Sequence, residues 1–199
     1  ATFIVTAITG TMGKIANEIF LLSKTETSEL EEPFTVGKVG SSTMPHKRNP
    51  AICENIVAIA RAARNCMLPA MEGIISETER DKIVLQTERE YISRLHGFAH
   101  AAIAKMAILI GGLEVKSEKM LSNLDITGGL LLSESVMMAL AKSIGRQEAH
   151  ELIYRVSQDA FINGRTLKEA LKEVPEVTET LTEKDIDQLL DPSSYTGLS

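Results

Sequence analysis

The sequence has no tryptophan, and aromatic residues make up only 4% of its 199 positions, which leaves few platforms for stacking nucleobases. A basic block is also missing: 21 Lys and Arg stand against 27 Asp and Glu, a net charge of −6. A nucleic-acid-binding face needs a positive stripe, so nucleic acid is excluded as a partner. Long apolar runs are absent too. The longest uncharged stretch, Ala1 to Gly13, stops at Lys14, well short of the ~20 residues that cross a bilayer, and no membrane association is expected. The amino end shows no basic segment followed by an apolar stretch and a small-residue cleavage site. Cysteine is scarce: Cys53 and Cys66 read as residents of one helix, where thirteen steps of ~1.5 Å separate them by ~20 Å, too far for a disulfide. A reducing, cytoplasmic location fits this usage best.

What is present is helical periodicity. Ile4, Ile8, Met12, Ile15, Ile19 and Leu22 step by three and four from the start, which predicts a first helix to about Thr27. It has no start signal, so the chain reads as cut out of something longer. Asn49 as N-cap and Pro50 at the first helical position predict a second helix, with Ile52, Ile56, Ile59, Ala63 and Met67 on its buried face and Pro69 kinking or ending it. Ile92, Leu95, Ala99, Ala102, Met106 and Leu109 form the seam of a third long helix, stopped by Gly111-Gly112. Beyond lie shorter helices, closed by Gly145 and Gly164, and a capping-box pattern at Thr182 and Asp185. No alternating strand pattern, repeat or low-complexity segment is visible. The reading is all-α, a long-helix bundle over 1–112 followed by a small helical domain over 113–199.

Residues 36–50 interrupt this pattern as a long loop, and structureless loops of more than ~12–15 residues inside compact domains are usually functional or disordered. The segment Gly40-Ser41-Ser42-Thr43-Met44-Pro45-His46-Lys47-Arg48-Asn49-Pro50, followed by Glu54, combines hydroxyls, cations and an amide at a helix N-terminus. Free backbone N–H groups and the positive dipole end suit an anion such as a carboxylate or phosphate. A nucleotide-binding P-loop is excluded, because Glu32 stands where that motif needs its first glycine before Gly37-Lys38. On composition alone, a polar surface loop ahead of a capped helix remains the competing reading.

GSSTMPHKRNP resembles, residue for residue, the signature loop of the fumarase/aspartase superfamily of lyases. The flanks GTMGKIANEIFLLSKTE and EEPFTVGKVG, and the carboxyl region NLDITGGLLLSESVMMALAKSIGRQEAHELI with its terminal DPSSYTG, resemble the branch of adenylosuccinate lyase and 3-carboxy-cis,cis-muconate cycloisomerase. The resemblance implies a homotetramer built on a central helical bundle, with active sites where three subunits meet. The implied chemistry is β-elimination on a polycarboxylate, or its reverse, without metal or organic cofactor. Ser41 matches the catalytic base on a mobile loop. Ser42, Met44, Lys47 and Asn49 match positions that contact substrate, Lys47 and Asn49 by holding a carboxylate. Glu54 matches the acid that pairs with a catalytic histidine of another subunit, and Arg89 falls in a further substrate-binding segment.

Two departures bear on the substrate. Val84, Leu85 and Gln86 stand where adenylosuccinate lyases carry His-Ser-Ser, the polar run that helps hold a nucleotide phosphate. The ending is more similar to the cycloisomerases, although these tend to carry a tryptophan in the Val84 region that this chain lacks. His46 occupies a variable position of the signature, while His96 and His100, four apart on one helix, have the spacing of a metal pair without a third ligand. They are read as packing or surface residues, and His150 as solvated. The resemblance places the general-acid histidine upstream of residue 1. A rival from another class is a helical scaffold that keeps the fold without turnover, but a scaffold has no need for Ser41, Lys47, Asn49 and Glu54 together.

Overall fold

A computed structural model describes residues 1–34 and 48–197. Ser41, Ser42, Met44, His46 and Lys47, together with most of the segment expected to be mobile, lie outside the described residues. The described chain forms two compact units, Ala1–Ser117 and Glu118–Ser199. In the first, α1 (Thr2–Leu22), α2 (Ala51–Arg64) and α4 (Lys82–Gly111) pack against one another, with the short α3 (Met67–Glu72) beside α4 and α1.

The apolar stripe of α1 does not form its buried face. Within the chain only Ile19 of that stripe is buried; Ile4, Ile8 and Ile15 are exposed, and the inward face is made of Thr6, Thr9, Gly13, Ala16 and Ile19. Small residues let α2 come close, and the two buried threonines satisfy their hydroxyls by donating to the carbonyls of Thr2 and Val5 one turn back. Gly13 is the point of nearest approach, because a β-carbon there stands 2.6 Å from Ala60 Cβ. Gly13→Ala is therefore expected to cost about 1–3 kcal/mol through overpacking, read as a lower urea midpoint with an unchanged slope.

Helix boundaries follow local chemistry. The first helix ends at Leu22, five residues before the expected Thr27, where Ser23 Oγ donates to Phe20 O and Ser28 takes a positive φ. The second ends at Arg64, ahead of Pro69. That proline sits in the first turn of α3, where its missing N–H leaves no intrahelical bond unmade. Cys53 lies in α2 and Cys66 just beyond it, both buried and unpaired with each other. In α4 the N-cap is Asp81, whose carboxylate accepts from Ile83 N, and the buried face is Tyr91, Leu95, Ala99, Ala102 and Leu109. Past Gly112 the chain returns to this unit: β1 (Leu30–Glu31) pairs antiparallel with β2 (Glu114–Val115) in a two-stranded ribbon. These pairs are too short to show an alternating pattern in the sequence.

The second unit holds α5 from its second residue (Ser117–Leu124), α6 (Ser133–Ile144), α7 (Arg146–Ile162), α8 (Leu167–Lys172), α9 (Pro175–Thr178) and α10 (Glu183–Leu189). Val136 and Leu140 of α6 meet Ile153, Val156 and Ala160 of α7 in its core, closed by Leu167, Leu171 and Ile186. Gly145 joins α6 to α7 at φ 86°, a conformation that costs other residues. Thr182 and Asp185 form the expected capping box with both reciprocal bonds, and Thr166 with Glu169 forms another.

Candidate active site

The described part of the signature, Arg48-Asn49-Pro50, runs straight into α2, and the helix start is held by a residue twenty positions upstream. The buried Glu32 carboxylate accepts from Ile52 N at 2.9 Å and from Cys53 N at 3.2 Å. This corrects two expectations. The N-cap is Pro50, not Asn49, and the helix N-terminus expected to receive a substrate anion already holds the chain's own carboxylate there. A charge-assisted bond to N–H groups at the positive end of the helix dipole satisfies both partners of a buried pair. Burial, with the Glu32 charge beside it, pushes the Cys53 thiol up to about 12, so Cys53 is inert as a nucleophile. Glu32→Ala is expected to lower stability by ~2 kcal/mol, since it strands two N–H groups; Glu32→Gln, which keeps an acceptor, loses less in the same urea titration.

Beside this cap, Glu31 is clasped by two cations. It accepts from Arg48 and, at 2.7 Å, from Lys116 Nζ, while the Arg48 guanidinium lies 4.7 Å over the Phe34 ring. Lys116, foremost, and Arg48 hold the Glu31 carboxyl below the usual carboxylate range. The stability this contributes is present above the ordinary carboxylate pKa and lost as pH falls through the lowered one. Glu31, Glu32, Pro33, Phe34, Arg48, Asn49, Pro50 and Lys116 share a pocket of about 220 Å³. Phe34 and Arg48 stand on either side of residues 35–47, so the two stems of the signature loop are joined side chain to side chain.

Glu54, in the first turn of α2, is exposed and opens onto a groove between α1 and α2 that Asn17, Phe20, Val57, Ala58 and Arg61 also line. Its carboxylate is thus accessible from outside the chain. Arg89 lies far from the described stem of the loop. It is exposed on α4, bonded to Gln86, about 33 Å along the helix from Gly111 at ~1.5 Å per residue, whereas Gly112 abuts Pro33 at the stem. One chain therefore holds Asn49 and Arg89 at opposite ends of a long helix. His96 Nδ1 lies 2.8 Å from Ile92 O of its own helix, and His100 and His150 are exposed. Among the described residues no cluster of His, Cys, Asp and Glu is grouped to hold a metal ion, and no helix is long and apolar enough to cross a membrane.

Comparison with known proteins now decides the family. A family model described as Lyase matches residues 1–64, and one described as Adenylosuccinate lyase C-terminus matches residues 129–199. The chain belongs to the fumarase/aspartase superfamily of lyases. The N-acetyl-S-(2-succino)cysteine lyase of Dickeya dadantii is 39% identical over 190 residues, 96% of this chain and 42% of that protein. The adenylosuccinate lyase of Pyrococcus horikoshii is 37% identical over 196 residues, 98% of this chain and 43% of that protein. The crystal structure of the 3-carboxy-cis,cis-muconate lactonizing enzyme from Pseudomonas putida matches with a TM-score of 0.88 at 32% identity, covering 98% of this chain and 43% of that one. The fold is thus the all-α fold of the superfamily. This chain spans about two fifths of the length of the curated relatives it matches.

Glu31, Glu32 and Lys116 were not singled out by sequence reasoning. The EEPF flank carried a signal for the first two, as part of the superfamily resemblance, but a contact across 85 residues, such as Lys116 to Glu31, leaves no trace in local spacing.

Proposed function

We propose that this chain is the carboxyl-terminal part of the subunit of a cytoplasmic homotetrameric lyase that performs β-elimination, or the reverse cycloisomerisation, on a polycarboxylate without a phosphate. The observation that carries the reading is the signature GSSTMPHKRNP with Glu54 behind it, seated at a helix start that Glu32, Glu31 and Arg48 tie to the opposite stem. Ser41, as its alkoxide, removes the proton α to a substrate carboxylate. The electron pair delocalises into that carboxylate, where Lys47 and Asn49, with Ser42 and Met44 lining the site, stabilise the developing charge. The β bond then breaks, and its leaving group takes a proton from a histidine of another subunit that Glu54 orients.

Two features support the substrate class. Val84, Leu85 and Gln86 supply none of the His-Ser-Ser groups of the nucleotide enzymes, and Leu85 is exposed. The relative from Dickeya dadantii is named for a succinylated cysteine, which bears carboxylates and no phosphate. Assembly is supported by the uncovered isoleucines of α1 and by Ile92, Ile103, Ile108 and Ile110 on α4, apolar surface that a bundle shared between subunits buries. The separation of Asn49 from Arg89 suits a site completed by other copies.

The test is turnover by the full-length protein on N-acetyl-S-(2-succino)cysteine, 3-carboxymuconate and adenylosuccinate. Turnover of one of the first two is expected, with kcat/KM for adenylosuccinate at least ~10-fold lower for want of charged hydrogen bonds to its phosphate. A folded oligomer inert on all three favours the scaffold reading, and preference for adenylosuccinate overturns the substrate class.

A further inference from the structure

Lys116 belongs to no motif, yet it is fixed with care. The β1–β2 pairing sets Leu30 against Val115 and Glu31 against Glu114, and Lys116 N donates to Glu29 O at 2.9 Å. This backbone register delivers the ammonium to Glu31 Oε2 at 2.7 Å, while the other oxygen of the same carboxylate takes Arg48. Arg48 immediately precedes Asn49. The segment following α4 is thus linked through one carboxylate to the residue next to the proposed carboxylate-holding amide.

We propose that Lys116 is a positioning residue for the elimination, acting through Glu31 and Arg48 to set the orientation of Asn49 at the start of α2. The proposal rests on the reading of Asn49 given above. Magnitudes separate this role from a structural one. The Lys116 and Arg48 side chains are 32% and 53% exposed, and exposed ion pairs contribute little to stability. Displacing a substrate-holding group by ~1 Å, in contrast, can lower a rate by up to ~10²-fold. A carboxylate gripped from two sides resists rotation more than either pair alone, and Phe34 under the guanidinium limits the remaining freedom of Arg48. Lys116 itself is engaged by Glu31, which separates it from a direct substrate contact.

The experiment uses the full-length protein and the substrate it turns over fastest. Lys116→Met is expected to lower kcat/KM ~10-fold, with KM raised at least ~3-fold and Tm within ~2 °C of the parent. A smaller folded fraction cannot raise KM, so that split excludes a merely structural effect. Lys116→Arg is expected to restore most of the loss. Glu31→Gln should reproduce it, and the double variant should fall no further, because both act through one contact. Glu31→Asp, which keeps the charge but withdraws the carboxylate, gives the same direction if the Lys116 variant fails to assemble. Lys116→Met within twofold of the parent, or full additivity with Glu31→Gln, overturns the proposal. Asn49→Ala separates the two readings: near-parental turnover there overturns the assignment of Asn49 and with it this proposal, whereas an impaired Asn49→Ala beside a silent Lys116→Met overturns the positioning role alone.

Discussion

Replacing Ser41 by alanine in the full-length protein is expected to lower turnover by at least ~10²-fold, the usual lower bound for removing a positioned base, while substrate binding and assembly persist. A serine hydroxyl is a poor proton acceptor in water and becomes one only where its alkoxide is stabilised by nearby donors and shielded from solvent. Lys47, six positions on, supplies such a charge in the sequence. Glu32 does not compete for the substrate proton, because its carboxylate is buried and bonded to Ile52 N and Cys53 N. Cys53 is equally unavailable, its thiol being held neutral by burial. Neither of these two buried groups is therefore available to take over as base. Isothermal titration of the variant with substrate should give a Kd within a few-fold of the parental value, and light scattering an unchanged mass. Near-normal turnover by Ser41→Ala would sink the assignment.

The parts of the fold that were legible are those written in short spacings. The seam of α4, the glycine stops at Gly112, Gly145 and Gly164, and the capping box of Thr182 and Asp185 each depend on residues within one or two turns, and all were readable. The parts that were not legible depend on partners far along the chain. Asn49 has the chemistry of an N-cap, but Glu32 reaches the helix from twenty residues away and satisfies its first N–H groups, so the local rule gives way to a tertiary one. Periodicity located the isoleucine stripe of α1 without saying what it faces. The close approach at Gly13 decides that the small residues point inward, and the larger apolar side chains are left for other surfaces.

The proposed site divides in the same way. Its chemistry is contiguous in sequence, which is why a resemblance could name Ser41, Lys47, Asn49 and Glu54 residue by residue. Its supports, Glu31, Glu32 and Lys116, are joined only by folding. Arg89 shows the opposite limit. The resemblance assigns it to the site, yet it lies toward the far end of α4 from the Pro33 stem, and local spacing does not join the two.

That separation leads to the largest expected effect. If each site draws on several subunits, the isolated 199 residues supply the signature loop and Glu54 without the acid histidine, because the resemblance assigns that role to none of the four histidines here: His46 stands at a variable position of the signature, and His96, His100 and His150 are exposed. The purified chain, shown by circular dichroism to be helical, is expected to be inactive on every substrate the full-length protein accepts. Mixed with full-length Ser41→Ala subunits and refolded together, it should restore activity, because some sites then combine an intact Ser41 from the short chain with an intact histidine from the long one. Neither component is active alone, so recovered turnover rises from background and measures shared sites directly. It should also scale with the fraction of mixed assemblies seen by native mass spectrometry, and disappear when the short chain itself carries Ser41→Ala. A scaffold has nothing to complement and gives no signal in any mixture. Turnover by the short chain alone, or none in verified mixed assemblies, would show that the site is not divided in this way.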